Sequence, residues 1–325
     1  MLKWGDLISP LPIDLSCAPC FVIEPRPDPD TMGRTGGNPS FMDNKLGVIG
    51  GSGLYDMAGV GPLEPVSVQT PFGSPSDAFL RGTVGETELY FLPRHGRGHR
   101  LLPSEINHRA NIYGFKLLGV RSILSLSAVG SLREDVKPRD ILIPDQYFDR
   151  TRRTATFFGD GLAAHVPFGD PICPALRGLL CETTARVLAD SGASLHDGGT
   201  YVNMEGPAFS TRAESQFYRR MGWDVIGMTS LPEAKLCREA QICYAVAALV
   251  TDYDCWHEGE DVHVEMVVEH MRANTRVARQ IVQEAAHGLP VERTCPCASA
   301  LSGAVMTSPE ACPSAAQQIL DVLRR

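Results

Sequence analysis

The stretch Gln241-Ile-Cys-Tyr-Ala-Val-Ala-Ala-Leu-Val-Thr-Asp-Tyr-Asp-Cys-Trp256 decides the fold class. It is an apolar run, β-branched towards its end, that stops abruptly at two acids, Asp252 and Asp254. A strand covered on both faces reads this way, and open α/β sheets bind ligands just beyond the carboxyl ends of such strands. Side chains alternate along a strand, so Asp252 and Asp254 are expected on one face and Tyr253 on the other. Two carboxylates sharing a face can read one edge of a ligand. Two incidental acids in a solvated loop fit this stretch equally well, so other segments have to decide.

The chain has 325 residues, 43% of them hydrophobic and 21% charged, which is ordinary globular usage and enough for a sizeable core. A net charge of -8 and a pI near 5.6 argue against nucleic-acid binding, which needs a basic face. No apolar stretch reaches spanning length and the N-terminus lacks a basic segment followed by an apolar one, so neither a membrane nor secretion is indicated and the cytoplasm is expected. The 10 cysteines form no paired C-x-x-C sets of the kind a structural zinc site uses, so no metal is expected. Cys295-Pro-Cys297 is too tight for a thioredoxin-like motif; buried, reduced thiols are expected, with a disulfide in the tail as the lesser alternative.

Three regions follow from composition and periodicity. Residues 1–43, rich in proline, read as a loosely ordered extension; 44–289 as the folded domain; 290–325 as a tail with a short helix. Within the domain, strands are expected over 45–50, 88–93, 120–127, 140–144, 199–204, 223–228 and up to the acids, and helices over 107–118, 175–191, 210–220, 232–241 and 264–287. Alternation of this kind means a single α/β domain, a twisted, mostly parallel mixed sheet covered by helices on both faces.

Several of those strands end in ligand-type residues. Gly50-Gly-Ser-Gly53 can turn backbone N–H groups and the Ser52 hydroxyl onto an anion, although a plain tight turn explains the glycines as well. Arg94-His-Gly-Arg-Gly-His-Arg100 places three arginines and two histidines in an acidic protein; Arg94 can grip a phosphate in bidentate fashion and His95 can add a donor. Ser127-Ala128 and Met228-Thr229 bring two more hydroxyls, and the Met228 thioether suits the face of a sugar or base. Together these outline an anion pocket beside an organic ligand.

Eight motifs in order, Gly50-Gly-Ser-Gly-Leu54, Thr70-Pro-Phe-Gly-Ser-Pro-Ser-Asp77, Arg94-His-Gly96, Ala128-Val-Gly-Ser-Leu-Arg133, Asp145-Gln-Tyr-Phe-Asp-Arg-Thr151, Glu205-Gly-Pro-Ala-Phe-Ser210, Met228-Thr-Ser-Leu-Pro-Glu233 and Thr251-Asp-Tyr-Asp-Cys-Trp256, closely resemble the methylthioadenosine phosphorylases of the purine nucleoside phosphorylase family. The resemblance runs from about residue 45 to about residue 288 and leaves out the extension and tail. It implies a nucleoside phosphorylase-like fold and a phosphate site of Ser52, Arg94, His95, Ser127 and Thr229, with serine at 52 and 127 where the family usually has threonine. It further implies ribose over Met228 with Ala128 near by, a base against Phe209 read by Asp252 and Asp254, and Val264 and Val267 lining the pocket for a 5′-methylthio group. His165 is similar to a histidine that reaches into the neighbouring subunit of a homotrimer, and the tail Cys-x-Cys to one that can be oxidised in thermostable relatives.

The chemistry implied is phosphorolysis of 5′-methylthioadenosine to adenine and 5-methylthioribose 1-phosphate, with inorganic phosphate as co-substrate and no cofactor or metal. The oxocarbenium-like transition state needs an oxyanion beneath the sugar and a base made to leave by protonation at N7, which Asp252 can supply if burial raises its pKa. Two acids accept from a 6-amino group and repel O6, so adenine is favoured over 6-oxopurines. The closest rival is a methylthioinosine or general purine nucleoside phosphorylase; a more remote one is a nucleoside-sensing module without turnover. Glu205 reads either as a ribose ligand or as a cap on the next helix. His99, His108 and His257 are expected at the surface, and His263 is expected to face away from Val264.

Overall fold

The computed structural model describes residues 44–51, 60, 62–257 and 264–325. Residues 1–43, Ser52, His263 and the side chains of Val264 and Val267 lie outside what it describes. The strands are β1 (Lys45–Gly50), β2 (Glu64–Val66), β3 (Phe79–Val84), β4 (Thr87–Pro93), β5 (Ser122–Ser131), β6 (Ile141–Ile143), β7 (Gln146–Asp149), β8 (Leu195–Asp197), β9 (Thr200–Asn203), β10 (Val225–Gly227) and β11 (Cys243–Asp252). The helices are α1 (His108–Leu117), α2 (Pro174–Leu188), α3 (Arg212–Arg220), α4 (Ser230–Glu239), α5 (Val264–Gly288) and α6 (Ser314–Arg324).

The 11 strands form one mixed sheet, with β4, β1 and β5 side by side and β11 on the other edge of β5. Most of the pairings are parallel; β10 with β5, β11 with β6, and the β2-β3-β4 meander are antiparallel. Every residue of β11 is buried, as its uninterrupted apolar run requires. Helices α2 and α5 pack on each other and on β11, and α4 packs on β11 and α1. Among the described residues no helix is long and apolar enough to cross a membrane.

Helix ends follow local chemistry. Asn107 caps α1 by accepting from Ala110 N at 3.1 Å, and Thr211 with Glu214 closes a reciprocal capping box on α3. The cap on α3 is therefore Thr211, and Glu205 has another partner, described below. The strands β2, β3, β7 and β8 carry no periodic signal strong enough to predict them, being short or half exposed. The tail does more than append a short helix: Cys297, Leu301, Leu320 and Leu323 are buried in the main core.

Candidate active site

The site sits at a break in the pairing of β5. Along one edge β1 accompanies β5 only as far as Ile49 opposite Ser125, and β10 takes up that edge at Gly130. Ser127 and Ala128 fall between them, and Ala128 is the one exposed residue of β5. The sequence placed these two residues at a strand terminus; they lie inside the strand, which runs on to Ser131. The expectation of a single carboxyl edge also fails for Met228 and Thr229. Strand β10 is antiparallel to β5, so its end approaches the gap from the direction opposite to β1, and the two strand ends face each other across Ser127.

Arg94 follows β4, whose Pro93 is paired with Gly50 at the end of β1. Its guanidinium is almost wholly buried and is held on three sides. Nε donates to Glu233 Oε1 at 2.5 Å and Nη2 to Glu233 Oε2 at 3.2 Å; Nη2 also reaches Ser125 Oγ at 2.6 Å, and Nη1 donates to the Leu126 carbonyl at 3.1 Å. Glu233 is held in turn by the Ser125 and Tyr244 hydroxyls, each at 2.9 Å. Burial alone would neutralise both partners, but their mutual attraction outweighs it: the Glu233 carboxyl is driven below its ordinary range and Arg94 above its own, so both are charged. The bidentate edge of Arg94 thus faces Glu233, and what remains for an oxyanion is the second Nη1 hydrogen and the positive charge. The other two arginines of the loop are engaged elsewhere, Arg97 with Asp77 at 2.8 Å and Arg100 with the Ser76 carbonyl at 2.8 Å.

His95 Nδ1 lies 2.9 Å from the Leu101 carbonyl, which can only accept, so Nδ1 carries the proton. Burial, reinforced by the Arg94 charge, lowers its pKa to about 4. At neutral pH Nε2 is therefore an acceptor, suited to a ligand O–H, where the sequence suggested a donor. Ser127 Oγ pairs with Tyr201 OH at 3.0 Å. Thr229 is buried at the N-cap of α4, and its hydroxyl makes no capping bond, which leaves it available beside the positive end of a helix.

His108 corrects a surface assignment. It is 4% exposed, and neither ring nitrogen has a hydrogen-bond partner among the described residues. Burial pushes its pKa to about 4, with Glu233 opposing and Arg153, Arg94 and His95 adding, so a neutral imidazole sits within electrostatic reach of the Arg94–Glu233 pair. The signal was present in the sequence: His108, Ile112 and Phe115 share one helical face, and both apolar members are buried. His257 is half-buried, its Nδ1 without a hydrogen bond among the described residues and its ring stacked on Tyr253 at 4.6 Å. His99 is exposed and stacks on His95 at 4.3 Å.

Asp252 and Asp254 come together, but not by strand alternation. The register of β11 against β5 shifts between Val250 and Asp252, the strand stops there, and Asp254 opens a 3-10 turn (Asp254–Trp256) with φ of 53°. Its amide donates to Asp252 Oδ1 at 2.9 Å, and Thr251 Oγ1 lies 2.7 Å from Asp252 Oδ2. Gly130 of β5 faces both acids; a Cβ there would lie 2.9 Å from Asp252 Oδ1 and 3.3 Å from Asp254 Cβ, so only glycine lets them lie this close to the sheet. Both carboxyls are buried and pushed above their ordinary range by that burial, Asp254 further by the charge of Asp252 and against the pull of the Ser215 hydroxyl. Asp254 Oδ2 has no well-formed hydrogen bond among the described residues, a buried acceptor awaiting a donor. From α5, His270 Nδ1 at 2.6 Å from the Thr251 carbonyl and Asn274 Nδ2 at 3.0 Å from Val250 O fix the strand end.

The remaining candidates are less concentrated. Met228 packs on Gly206, where an added Cβ would lie 2.5 Å from Sδ. Glu205 pairs with Arg153 at 2.9 Å and accepts from Arg152 N at 2.9 Å, while Arg153 also holds the Met228 and Glu205 carbonyls. Phe209 is 53% exposed, and its neighbour Ser210 is tied to the acid turn by Cys255 Sγ at 3.1 Å from Ser210 O. His165 lies apart from these residues, exposed, lining a 240 Å³ hollow with Lys235 and Glu239. Ser52, Val264 and Val267 fall outside the described residues or side chains. Sequence reasoning gave Glu233 no role; a buried arginine at a strand end was the signal, because it demands a counter-charge.

The profile of the phosphorylase superfamily matches residues 45–287. The chain is 53% identical over 285 residues to the S-methyl-5′-thioadenosine phosphorylase of Geobacter sulfurreducens, covering 87% of this chain and 98% of that protein. It is 48% identical to the protein of the same name from Hyperthermus butylicus, over 80% of this chain and 95% of the relative. Among solved structures, a methylthioadenosine phosphorylase from an antarctic soil metagenomic library superposes with a TM-score of 0.82 at 45% identity, covering 86% of this chain and 98% of that one. The methylthioadenosine phosphorylase of Schistosoma mansoni in complex with adenine superposes with a TM-score of 0.70 at 39% identity, covering 77% and 93%.

Proposed function

Since the chain belongs to the phosphorylase superfamily, we propose that it catalyses the phosphorolysis of 5′-methylthioadenosine, releasing adenine and 5-methylthioribose 1-phosphate for salvage. The observation that carries this reading is the buried pair Asp252 and Asp254, with Asp254 Oδ2 lacking a well-formed hydrogen bond among the described residues and both carboxyls raised. A purine supplies what such a pair lacks: a 6-amino donor for one carboxylate and an N7 acceptor for the proton of a raised carboxyl. A 6-oxo group would set oxygen against oxygen.

Phosphate is the second substrate in this reading. It lies in the gap of β5, between the Ser127 and Thr229 hydroxyls, with Ser52 as a further hydroxyl donor. Arg94 contributes its charge and one N–H, and His95 Nε2 accepts the O–H of hydrogen phosphate. The oxyanion then faces the anomeric carbon as the C1′–N9 bond lengthens, and its charge stabilises the oxocarbenium-like state more than the ground state. Met228 provides the floor for the ribose, Ala128 the close approach, and Phe209 a face for the base; Val264 and Val267 line the 5′-methylthio pocket. A homotrimer in the cytoplasm completes the proposal, His165 reaching the neighbouring subunit's site.

The test is incubation of pure protein with methylthioadenosine, with and without inorganic phosphate. Adenine is expected only when phosphate is present. Adenine without phosphate would mean a hydrolase, and binding with no release in either condition would mean a nucleoside-sensing module.

A further inference from the structure

The amino end of β11 carries a second cluster, far along the strand from the acids. Cys243 opens β11, Cys173 is the N-cap of α2, and Cys295 and Cys297 come from the tail. Their four sulfur atoms all lie within 4.8 Å of one another, Cys243 and Cys295 at 3.3 Å; three of the residues are buried and Cys295 half-buried. All four are free thiols in this structure. We propose that these four cysteines bind a single thiophilic divalent cation, zinc, as a structural tetrathiolate site that fastens the tail to the sheet.

Three observations support a cation over a set of packed thiols. First, the spacing suits it. With Zn–S bonds of about 2.3 Å, a tetrahedron puts its sulfurs about 3.8 Å apart, so four sulfurs within 4.8 Å of one another can close on one ion with shifts of about an ångström. Second, thiolates are favoured here. The Leu176 amide points at Cys173 Sγ from 3.5 Å at the N-terminus of a 15-residue helix. Third, the scaffold is set before any metal arrives: Cys173 N bonds the Tyr244 carbonyl at 2.9 Å, Cys243 N bonds Arg121 O at 2.9 Å, and Gln241 accepts from Leu301 N and donates to Leu323 O. Loading the site exchanges four S–H protons for one Zn²⁺, with no change of oxidation state.

Protein purified without chelators should contain one zinc per chain by elemental mass spectrometry. The denatured, chelated chain should have the mass of the fully reduced polypeptide. Reconstitution with cobalt(II) should give the intense thiolate charge-transfer absorption and the visible bands of a tetrahedral sulfur site. The Cys297→Ser variant should lose the metal and melt several degrees lower, while turnover of methylthioadenosine changes less than twofold. Absence of bound metal with four free thiols, a chain lighter by the hydrogens of one or two disulfides, or cobalt binding without a thiolate band would each overturn the proposal. So would full zinc occupancy in Cys297→Ser. The cobalt and mass measurements use the unaltered chain, so they decide the matter even if the variant fails to fold.

Discussion

The two ends of β11 are built on different principles. At the carboxyl end, Asp252 and Asp254 stand two residues apart, and a shift in strand register with one left-handed residue brings them together. At the amino end, Cys243 meets cysteines from α2 and from the tail, three stretches that only the fold makes neighbours. The first end is local and polar; the second is long-range and soft. A local arrangement leaves its trace in a short motif, while a long-range one leaves none, because no spacing rule links Cys173, Cys243 and the Cys295–Cys297 pair.

Helix α4 runs between the two ends, from Thr229 at its start to Glu239 at its close, and lesions along it should separate chemistry from stability. The largest effect is expected at Glu233→Gln, which leaves Arg94 buried and half paired. Breaking such a pair costs about 3–5 kcal/mol, so denaturant melts should show a marked loss of stability, and the KM for phosphate should rise in whatever folds. Unchanged stability would mean that Arg94 does not depend on Glu233.

Next in size is Asp252→Asn. Positioned acid–base groups contribute roughly 10²–10⁴-fold, so turnover of 6-aminopurine nucleosides should fall by at least roughly 10²-fold, with 6-oxopurine nucleosides far less affected. Equal loss on both substrates would show that the acid does not read the base. The carboxyl is raised above its ordinary range by burial, so kcat/KM in the parent enzyme should fall as pH rises through that raised value, and the variant should lack this limb.

The smallest effect belongs to Glu239, near the amino end of β11. Burial raises its carboxyl to about 7 against the hydrogen bonds from Phe157 N at 2.7 Å and Thr156 Oγ1 at 2.8 Å. A folded-state pKa above the unfolded value means the native state holds the extra proton. Its stabilising contribution is complete below the ordinary glutamate pKa and is lost as pH rises towards 7, by at most about 3 kcal/mol. In Glu239→Gln, the fall in melting temperature across that window should flatten, with kcat unchanged; a slope that persists would place the titration on another group.

Much of the architecture could be read from the chain. The run into Asp252 specified a covered central strand, and the helices expected over 107–118 and 210–220 form as α1 and α3, begun by the side-chain caps Asn107 and Thr211. Edge strands such as β2 and β7 were missed because half-exposed, three- and four-residue segments have too little periodicity to register. Of the candidate site, Arg94, His95, Ser127, Thr229 and the two acids were named from strand ends. Their roles were not: the bidentate face of Arg94 is turned to Glu233, His95 presents an acceptor, and β10 arrives antiparallel.

The sequence by itself determined where the helices and the longer buried strands form and which residue types crowd the ends of strands, because propensity, capping and apolar periodicity act within a few residues. Only the tertiary structure decided where β1 and β10 leave β5 uncovered, which partner takes the guanidinium of Arg94, and that four scattered thiols share one small volume. Those outcomes depend on desolvation and on contacts between segments far apart in the chain, and neither is encoded in any single stretch of it.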